Sequence, residues 1–475
     1  SAWKSLFEFG IALRYLLPRR RSLSTALVSL MSVFVISLVV WLVLVFLSVT
    51  TGIEKNWLQK LTALHAPLRI SPTEEYYQSY YYKIDSISSA SRYTLKTIGE
   101  KAESPALDPY IAAQDAEIPD SFPLKEEIDP VKSALQELSN LGLTFQDYEI
   151  SGALLRIHRS GGLVLSQMSY LLSQTEKNPS FHSLIVDSRP IVSDKIPIIL
   201  PKNYQKNGVE IGDIGTLGYS SFSALSAQEQ RIPVIISAFY DPGLISLGNK
   251  CIIVPSEITR MIHASSQTLS PDNTPVNGIF VWIDDLRKIE EVKQRILQQF
   301  EKANISKYWK IDTYREFEFS KDFIQQFQSD KTLFLLIASI ILLVACCNII
   351  SLLTLLVNEK KKEIAILETM GASFQSIALI FGTCGAIIGI LSCLIGSMLA
   401  CFTLYHLDKL VQLLNALQGH NAFNPAFFGH SLPNELSITA LLFVFILTPI
   451  LSLTAGLVPA IKASRIRAST ALRAE

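Results

Sequence analysis

The sequence is poor in charge. Of its 475 residues, 18% are charged and 49% are hydrophobic, and the mean hydropathy is +0.31. Soluble domains carry about 25% charged residues, so this composition indicates a membrane protein. Lys and Arg together number 42, as do Asp and Glu. There is therefore no overall basic excess of the kind that favours nucleic-acid binding.

Cysteine is almost missing from the long polar middle of the chain. Only Cys251 lies there, because the other five cysteines lie in apolar runs (Cys346, Cys347, Cys384, Cys393 and Cys401). A disulfide needs two cysteines, so the middle segment is expected to fold without an internal bridge. Cysteines inside apolar runs behave as small apolar side chains, and we expect this of the other five.

Motifs that mark catalysis are missing as well. The sequence has no GxxxxGK[ST] phosphate-binding loop, which excludes ATP hydrolysis by that route, and no HExxH, zinc-spaced histidine pair or GxSxG elbow. The glycines at 212, 215 and 218 lie in a turn-rich strand region and indicate turns rather than a dinucleotide site. The long apolar runs contain no acidic or basic residue, which argues against a proton relay. We therefore expect a non-catalytic chain with no catalytic, cofactor-binding or metal-binding residues.

Four apolar runs are long enough to cross a bilayer, which takes about 20 residues. We assign transmembrane helices to 22–49, 331–357, 376–405 and 436–459. The first run is too long for a signal peptide and no small-residue cleavage site follows it, so we expect it to remain. Basic residues flank the spans on one side, at 4–21, 360–362 and 462–473, whereas the connection between the third and fourth spans has only Lys409. The positive-inside rule then predicts that both termini are cytoplasmic.

The predicted fold class is an integral membrane protein: four transmembrane α-helices with a large α+β extracytoplasmic domain between helices 1 and 2. Strand-like runs cover 192–200, 232–239 and 251–254, and helical patterns cover 130–141 and 286–302. The tyrosine-rich stretch 76–82 is interpreted as a surface loop, with a membrane-interface segment as the alternative. The remaining segments are an amphipathic cytoplasmic N-terminus at 1–21, the outer domain at 50–330, loops at 358–373 and 406–435, and a cytoplasmic tail at 460–475.

An aromatic stripe precedes the second span. Phe319, Phe323 and Phe327 recur every four residues and so fall on one helix face. The favoured interpretation is a helical stalk that packs against the continuation of the first span, since both spans are expected to extend beyond the bilayer. The alternative is contact with a lipid anchor, shared with Val45 and Val49.

Two glycines in the third span, Gly385 and Gly389, allow helix backbones to approach closely. Packing within the four-span bundle is favoured over a contact with another subunit.

The loop 358–373, NEKKKEIAILETMGAS, has a short amphipathic pattern. Ile364, Leu367 and Gly371 fall on one helical face, Glu363 and Glu368 lie elsewhere, and Gly371 suits a helix C-terminus. Such a helix can press its apolar side into a groove on a partner. Composition alone fits an interfacial helix equally well, because its lysines can meet anionic lipid.

Several stretches resemble the FtsX-like permease family, in particular its LolC/LolE lipoprotein-releasing branch. The densest match is LVACCNIISLLTLLVNEKKKEIAILETMGAS at 343–373. Glu368 stands where these permeases usually have a basic residue, and Ala468 where proline is usual. Shorter matches lie at 11–16, 19–22, 51–54, 459–463 and 471–473.

The resemblance implies a permease subunit of an ABC transporter in the bacterial inner membrane, multi-pass, with a MacB-like periplasmic domain. A separate ATPase subunit would hydrolyse ATP, and lipoproteins would be extracted from the outer leaflet and passed to a periplasmic carrier. The implied partners are a cytoplasmic ABC ATPase dimer, a second permease (identical or homologous), lipidated proteins, the carrier and membrane lipids, with no nucleic acid. ATP and Mg would bind to the ATPase, with no cofactor in this chain.

The resemblance also assigns residues to these partners. The loop becomes a coupling helix that docks on the ATPase, and the segment 220–231 becomes a protruding hairpin that binds the carrier. Two alternatives remain: a MacB-like efflux permease, whose relatives carry a nucleotide domain that this sequence does not show, and an FtsX-like regulator of a cell-wall hydrolase, whose outer domain is usually much smaller. The docking residues are Glu359, Glu363, Ile364, Leu367, Glu368, Met370 and Gly371, and the hairpin residues are Ser220, Phe222, Leu225, Gln230 and Arg231.

Overall fold

The computed structural model describes residues 10–12, 23–105, 108–159, 162–222, 226–242, 250–266, 276–419 and 432–464. The chain divides into two compact units. The membrane unit combines Ser1–Asn56 with Gln325–Glu475, and the sheet unit is Trp57–Ile324.

The elements are numbered in chain order over the described residues. The helices are α1 (Leu23–His65), α2 (Glu74–Gln78), α3 (Tyr80–Lys83), α4 (Ile98–Glu103), α5 (Pro130–Asn140), α6 (Phe181–Leu184), α7 (Asn203–Lys206), α8 (Ser256–Ser266), α9 (Ile289–Lys302), α10 (Glu318–Glu359), α11 (Lys361–Thr369), α12 (Phe374–Tyr405), α13 (Leu407–Gln418) and α14 (Ile438–Ser464). The strands are β1 (Leu68–Pro72), β2 (Thr144–Arg159), β3 (Gly162–Ser173), β4 (Ile185–Ser188), β5 (Ile196–Pro201), β6 (Ile214–Phe222), β7 (Ala227–Tyr240), β8 (Cys251–Val254), β9 (Val276–Trp282) and β10 (Trp309–Thr313).

Four of the described helices, α1, α10, α12 and α14, are long and apolar enough to cross a membrane, which confirms the predicted number of spans. Helices α1 and α10 have 43 and 42 residues. At 1.5 Å per residue each is about 63–65 Å long, roughly twice the thickness of a bilayer core. The expectation that both helices are longer than a span requires is therefore confirmed.

Close helix contacts build the core of the membrane unit. A Cβ atom added at Gly389 of α12 would lie 2.6 Å from Ser452 Oγ of α14, and one at Gly456 would lie 2.7 Å from the Phe381 carbonyl oxygen. Gly385 also faces Ser452. Both predicted packing glycines thus lie at a contact inside this chain. Trp41 Nε1 of α1 donates a hydrogen bond to Thr403 Oγ1 of α12 over 2.8 Å, which ties these two helices together.

The sheet unit is built on ten described strands in the order β10-β1-β9-β2-β3-β8-β5-β7-β4, with β6 paired to β2 and β7. Most pairs are antiparallel, whereas β3 with β8 and β5 with β7 are parallel. Helices α5 and α9 carry buried apolar side chains, and Trp309 Nε1 donates to the Pro130 carbonyl oxygen at the start of α5. The α+β class predicted for this segment is confirmed, whereas its place outside the cytoplasm stays a prediction.

Local predictions in this unit succeeded where the pattern was regular. The run 251–254 is β8, and 232–239 lies within β7. The segment predicted at 130–141 is helical as far as Asn140, and 286–302 is helical and begins as a 3₁₀ turn. The strand predicted at 192–200 begins only at Ile196, and Val192 is fully exposed. Val192 is apolar, and for this reason the sequence pattern predicted a strand that begins four residues too early.

The tyrosine-rich stretch is neither a surface loop nor a membrane-interface segment, so both interpretations were wrong. Tyr76, Tyr80, Tyr81 and Tyr82 are each at most 7% exposed. The Tyr76 ring lies 5.2 Å from the Trp309 ring, centroid to centroid, and the Tyr80 hydroxyl donates to Asp108 over 3.0 Å. The tyrosines lie on two short helices, α2 and α3, which turn the rings inward. The spacing of the tyrosines therefore matches neither the period of a strand nor that of one long helix, and the sequence pattern did not predict their burial.

Candidate functional site

Helix α11 follows α10 after one residue and ends in a closed turn. Gly371 has a φ of +94°, the left-handed conformation that favours glycine. Its N–H donates to the Glu368 carbonyl oxygen, and the Ala372 N–H donates to that of Leu367, each over 3.0 Å. This pair of bonds is a Schellman motif, which satisfies carbonyl groups at the end of a helix. The helix end predicted at Gly371 is confirmed.

The predicted apolar docking face of α11 is wrong at Ile364. Ile364 is 2% exposed and belongs to the hydrophobic core of the membrane unit, together with Val357 and Phe381. It therefore supports this chain's own fold and has no free surface for a partner. Leu367 is half-buried, whereas Ile366 and Met370 are 50% and 79% exposed.

Of the predicted docking residues, only Ile364 is excluded by burial, whereas Met370, Glu359 and Glu363 are exposed. A nine-residue helix has few turns over which to fix its phase, and the packing of Ile364 and Ala365 against the core turns positions 366 and 370 outward. Met370 was among the predicted docking residues, and Ile366 was missed. The signal that could have found Ile366 is that α11 lies next to two long apolar helices in the chain, because such a helix must use one apolar side for its own core.

Charged groups surround these exposed apolar side chains. Lys360 Nζ lies 2.7 Å from Glu363 Oε1, an ion pair between residues three apart in sequence. Lys361, Lys362 and Glu359 are exposed, and Glu368 is half-buried. The outward side of α11 therefore offers two apolar contacts within a rim that carries both signs of charge.

Strands β6 and β7 form a hairpin with Tyr219 opposite Gln230 and Ser220 opposite Glu229. β2 pairs with β6 only as far as Gly218, so beyond this point the described backbone of β6 and β7 is paired within the hairpin. Residues 226–231 are all exposed, as expected of a projecting hairpin. Leu225 lies outside the described residues, and only the backbone of Phe222 is described.

Salt bridges hold the base of this hairpin. Glu229 of β7 contacts Arg156 of β2 and lies 3.1 Å from Arg231. Hydrogen bonds from Arg156 and Arg231 hold the pKa of the Glu229 carboxyl below its usual value. Because Arg156 lies on the neighbouring strand, the bridge fixes the hairpin to the sheet, a contact that the sequence did not reveal.

The structure describes the aromatic stripe in part. The Phe323 ring lies 6.1 Å from the Trp57 ring, centroid to centroid, and Trp57 is 6% exposed. Phe327, Val45 and Val49 are half-buried, and only the backbone of Phe319 is described. The contact between Phe323 and Trp57 agrees with the packing interpretation, and contact with a lipid anchor stays a prediction.

The last third of the chain is similar to a known family of membrane proteins. Residues 335–468, which include α11, α12, α13 and α14, match the family model of the FtsX-like permease C-terminal domain. The resemblance is confirmed at this level by two kinds of comparison, since curated relatives of the same class match as well.

These relatives are LolC and LolE permeases. The chain is 28% identical to the lipoprotein-releasing system transmembrane protein LolC of Haemophilus influenzae over 277 residues, 57% of this chain and 62% of the relative. It is 34% identical to LolE of the same organism over 130 residues, 27% of this chain and 31% of the relative. It is 27% identical to LolC of Neisseria meningitidis serogroup B over 157 residues, 33% and 38% of the two chains. The matches thus span less than two thirds of each relative, and they support a permease of the LolC/LolE type.

Proposed function

We propose that this chain is the permease subunit of an ABC transporter that extracts lipidated proteins from the outer leaflet of the inner membrane and passes them to a periplasmic carrier. The observation that carries the proposal is the match to LolC over 277 residues, together with the FtsX-like domain at 335–468. In this proposal a separate ATPase pair binds ATP and Mg, a second permease completes the membrane part, and the chain has no catalytic step of its own.

The ATPase would bind at α11. Ile366 and Met370 supply the exposed apolar contacts, and Glu359, Glu363 and Glu368 pair with basic groups around the groove. A short helix between two membrane helices is suited to this role, because Ile364 fixes it to the bundle. A force applied to its outer side then reaches α10 and α12 directly.

Co-purification with the ATPase tests this docking. We expect Ile366→Asp combined with Met370→Asp to lose the ATPase, because a carboxylate in an apolar contact costs several kcal/mol of association. The doubly substituted permease should still elute from gel filtration as the wild type does, since both side chains are exposed. Lys361→Ala, on the same helix, is the matched control and should retain the ATPase. Recovery of the ATPase at wild-type yield with the double variant would contradict the proposal.

The carrier would bind at the hairpin of β6 and β7. Its exposed strand residues provide both backbone groups and side chains for an incoming protein, and the salt bridge to Arg156 keeps the hairpin base in place. A photo-crosslinking residue at Gln230, which is exposed, should capture the carrier. The same residue at Glu290 of α9, also exposed, is the control. Equal capture at both positions would remove the hairpin from the proposal.

A further inference from the structure

Helix α13 is a separate amphipathic helix at one end of the membrane unit. It begins two residues after the last residue of α12, Tyr405, and closes at Gly419, whose φ is +70° and whose N–H donates to the Asn415 carbonyl oxygen over 3.0 Å. It lies at the end of the bundle where α1 leaves it, because α1 contacts the neighbouring parts of the chain there. These contacts are Trp41 with Thr403 and Ser48 with the N–H of Ser437.

Among the residues that the structure describes, the apolar side of α13 is buried only in part. At 100° per residue, Leu407, Val411 and Leu414 share one side of the helix, where Leu407 is 5% exposed and the other two are half-buried. A second leucine stripe lies next to it. Leu410, Leu413 and Leu417 are 42%, 57% and 78% exposed. The opposite side is polar and carries Asp408, Gln412 and Asn415.

The surroundings of this stripe are apolar and exposed. The last two turns of α12 expose Met398, Phe402 and Tyr405 at 74%, 65% and 80%. Exposed aromatic residues at the end of a membrane helix mark the level of the lipid headgroups. The stripe on α13 begins five residues after Tyr405 and continues that apolar surface. Its own polar side has the composition that faces water in a helix lying flat on a bilayer.

A protein partner fits the stripe poorly. From Leu410 to Leu417 the stripe is about 10 Å long and one side chain wide. Its area is therefore far smaller than the roughly 800 Å² per partner of a stable protein interface. It contains leucine alone, whereas the residues that dominate protein interfaces are Trp, Tyr and Arg. The nearest charges, Asp408 and Lys409, cancel, so no strongly charged partner is favoured either.

We propose that α13 lies in the headgroup region of the leaflet on the side where α1 leaves the bundle, with Leu410, Leu413 and Leu417 among the upper acyl carbons. As an interfacial amphipathic helix, α13 then fixes the depth of the end of α12 in that leaflet. This inference does not depend on the cargo or on the ATPase.

Depth-dependent fluorescence quenching tests the depth of α13 in the bilayer. An environment-sensitive fluorescent amino acid replaces Leu413 in the full chain, reconstituted in nanodiscs of phosphatidylethanolamine and phosphatidylglycerol, and a second sample carries it at Leu417 in case one variant folds poorly. Gln412, exposed on the polar side, is the matched control. We expect blue-shifted emission at 413 and 417, and quenching by a nitroxide near the lipid headgroup that is at least about twofold stronger than at 412.

Each other outcome overturns the proposal. Equal quenching at 412 and 413 would mean that the helix does not lie flat in the interface. Stronger quenching by a nitroxide at the end of the acyl chain would place α13 inside the bilayer. A blue-shifted probe that lipid nitroxides do not quench would assign the stripe to a protein contact.

Discussion

At the scale of single residues, the sheet unit buries an ionisable pair that the proposed function does not use. His263 Nδ1 of α8 lies 2.8 Å from Glu149 Oε1 of β2, and the two side chains are 2% and 5% exposed. Burial raises the pKa of the Glu149 carboxyl above its usual value, and the nearby Glu100 and Asp147 raise it further, while His263 opposes the change. Charging Glu149 in the folded state therefore costs free energy.

This raised pKa predicts a dependence of stability on pH. The folded state holds the Glu149 proton at pH values where the unfolded chain, with a carboxyl pKa of about 4.3, has released it. The free energy of unfolding should therefore fall as pH rises from about 4 through the raised pKa. Glu149→Gln removes this contribution, so its stability should decline less between pH 4 and 7 than that of the wild type.

Thermal unfolding of the full chain in detergent at several pH values measures this difference. Glu290→Gln, an exposed carboxyl on α9, is the control and should follow the wild type. Identical pH profiles for wild type and Glu149→Gln would show that the buried carboxyl does not titrate in this range.

At the scale of elements, the contact between Trp57 and Phe323 separates packing from cargo contact. Complete burial would make Phe323→Ala cost about 3–5 kcal/mol, but this ring is only half-buried, so a smaller loss of stability is expected. A photo-crosslinker at position 323 should capture α1 near Trp57. Capture of a lipid-modified protein, with unchanged unfolding of Phe323→Ala, would instead favour the lipid-anchor interpretation.

The packing of α12 on α14 makes two glycines of the same helix respond differently. A Cβ at Gly389 would lie 2.6 Å from Ser452 Oγ and 3.3 Å from Pro449 Cα, so Gly389→Ala should destabilise the bundle by about 1–3 kcal/mol. At Gly382 the nearest atom, Leu457 Cδ2, is 3.8 Å away, so Gly382→Ala should be tolerated. Detergent-solubilised thermal unfolding compares the two. An equal loss in both variants would show that the close contact at Ser452 does not decide the outcome, because Gly→Ala raises helix propensity at both positions.

Elements could be predicted from the sequence where one physical signal controlled them. The four spans followed from apolar length and α9 from its helical period, because both patterns are local. The burial of the tyrosines at 76–82 and the bridge from Glu229 to Arg156 depend on strands far apart in sequence, so no local pattern carries them. The outward side of α11 lies between these cases: the helix and its end at Gly371 were readable, but which side faces out depends on packing against α10 and α12.

At the scale of the whole molecule, the orientation in the membrane stays a prediction that labelling can test. The basic residues at the span ends predict that the sheet unit lies outside the cytoplasm and α11 inside. A cysteine at Lys206, exposed at the end of α7, should react with an impermeant thiol reagent in intact cells after the outer membrane is opened. A cysteine at Lys361 should react only after the inner membrane is broken. The reverse order of labelling would mean that the orientation is inverted.

The first and the last described strands of the sheet unit are neighbours: β1 and β10 are paired antiparallel, with Leu68 opposite Thr313. Between these strands lie more than 200 residues, including every other described strand. Sequence can therefore be gained, lost or exchanged inside the unit without changing the separation at which the chain enters and leaves it. In evolutionary terms the sheet is an insertion in the chain between α1 and α10, with both of its ends on one pair of strands. A chimera that exchanges 68–313 for the corresponding segment of a relative transfers β1 and β10 together, so the pairing at which the chain enters and leaves the sheet is carried over intact.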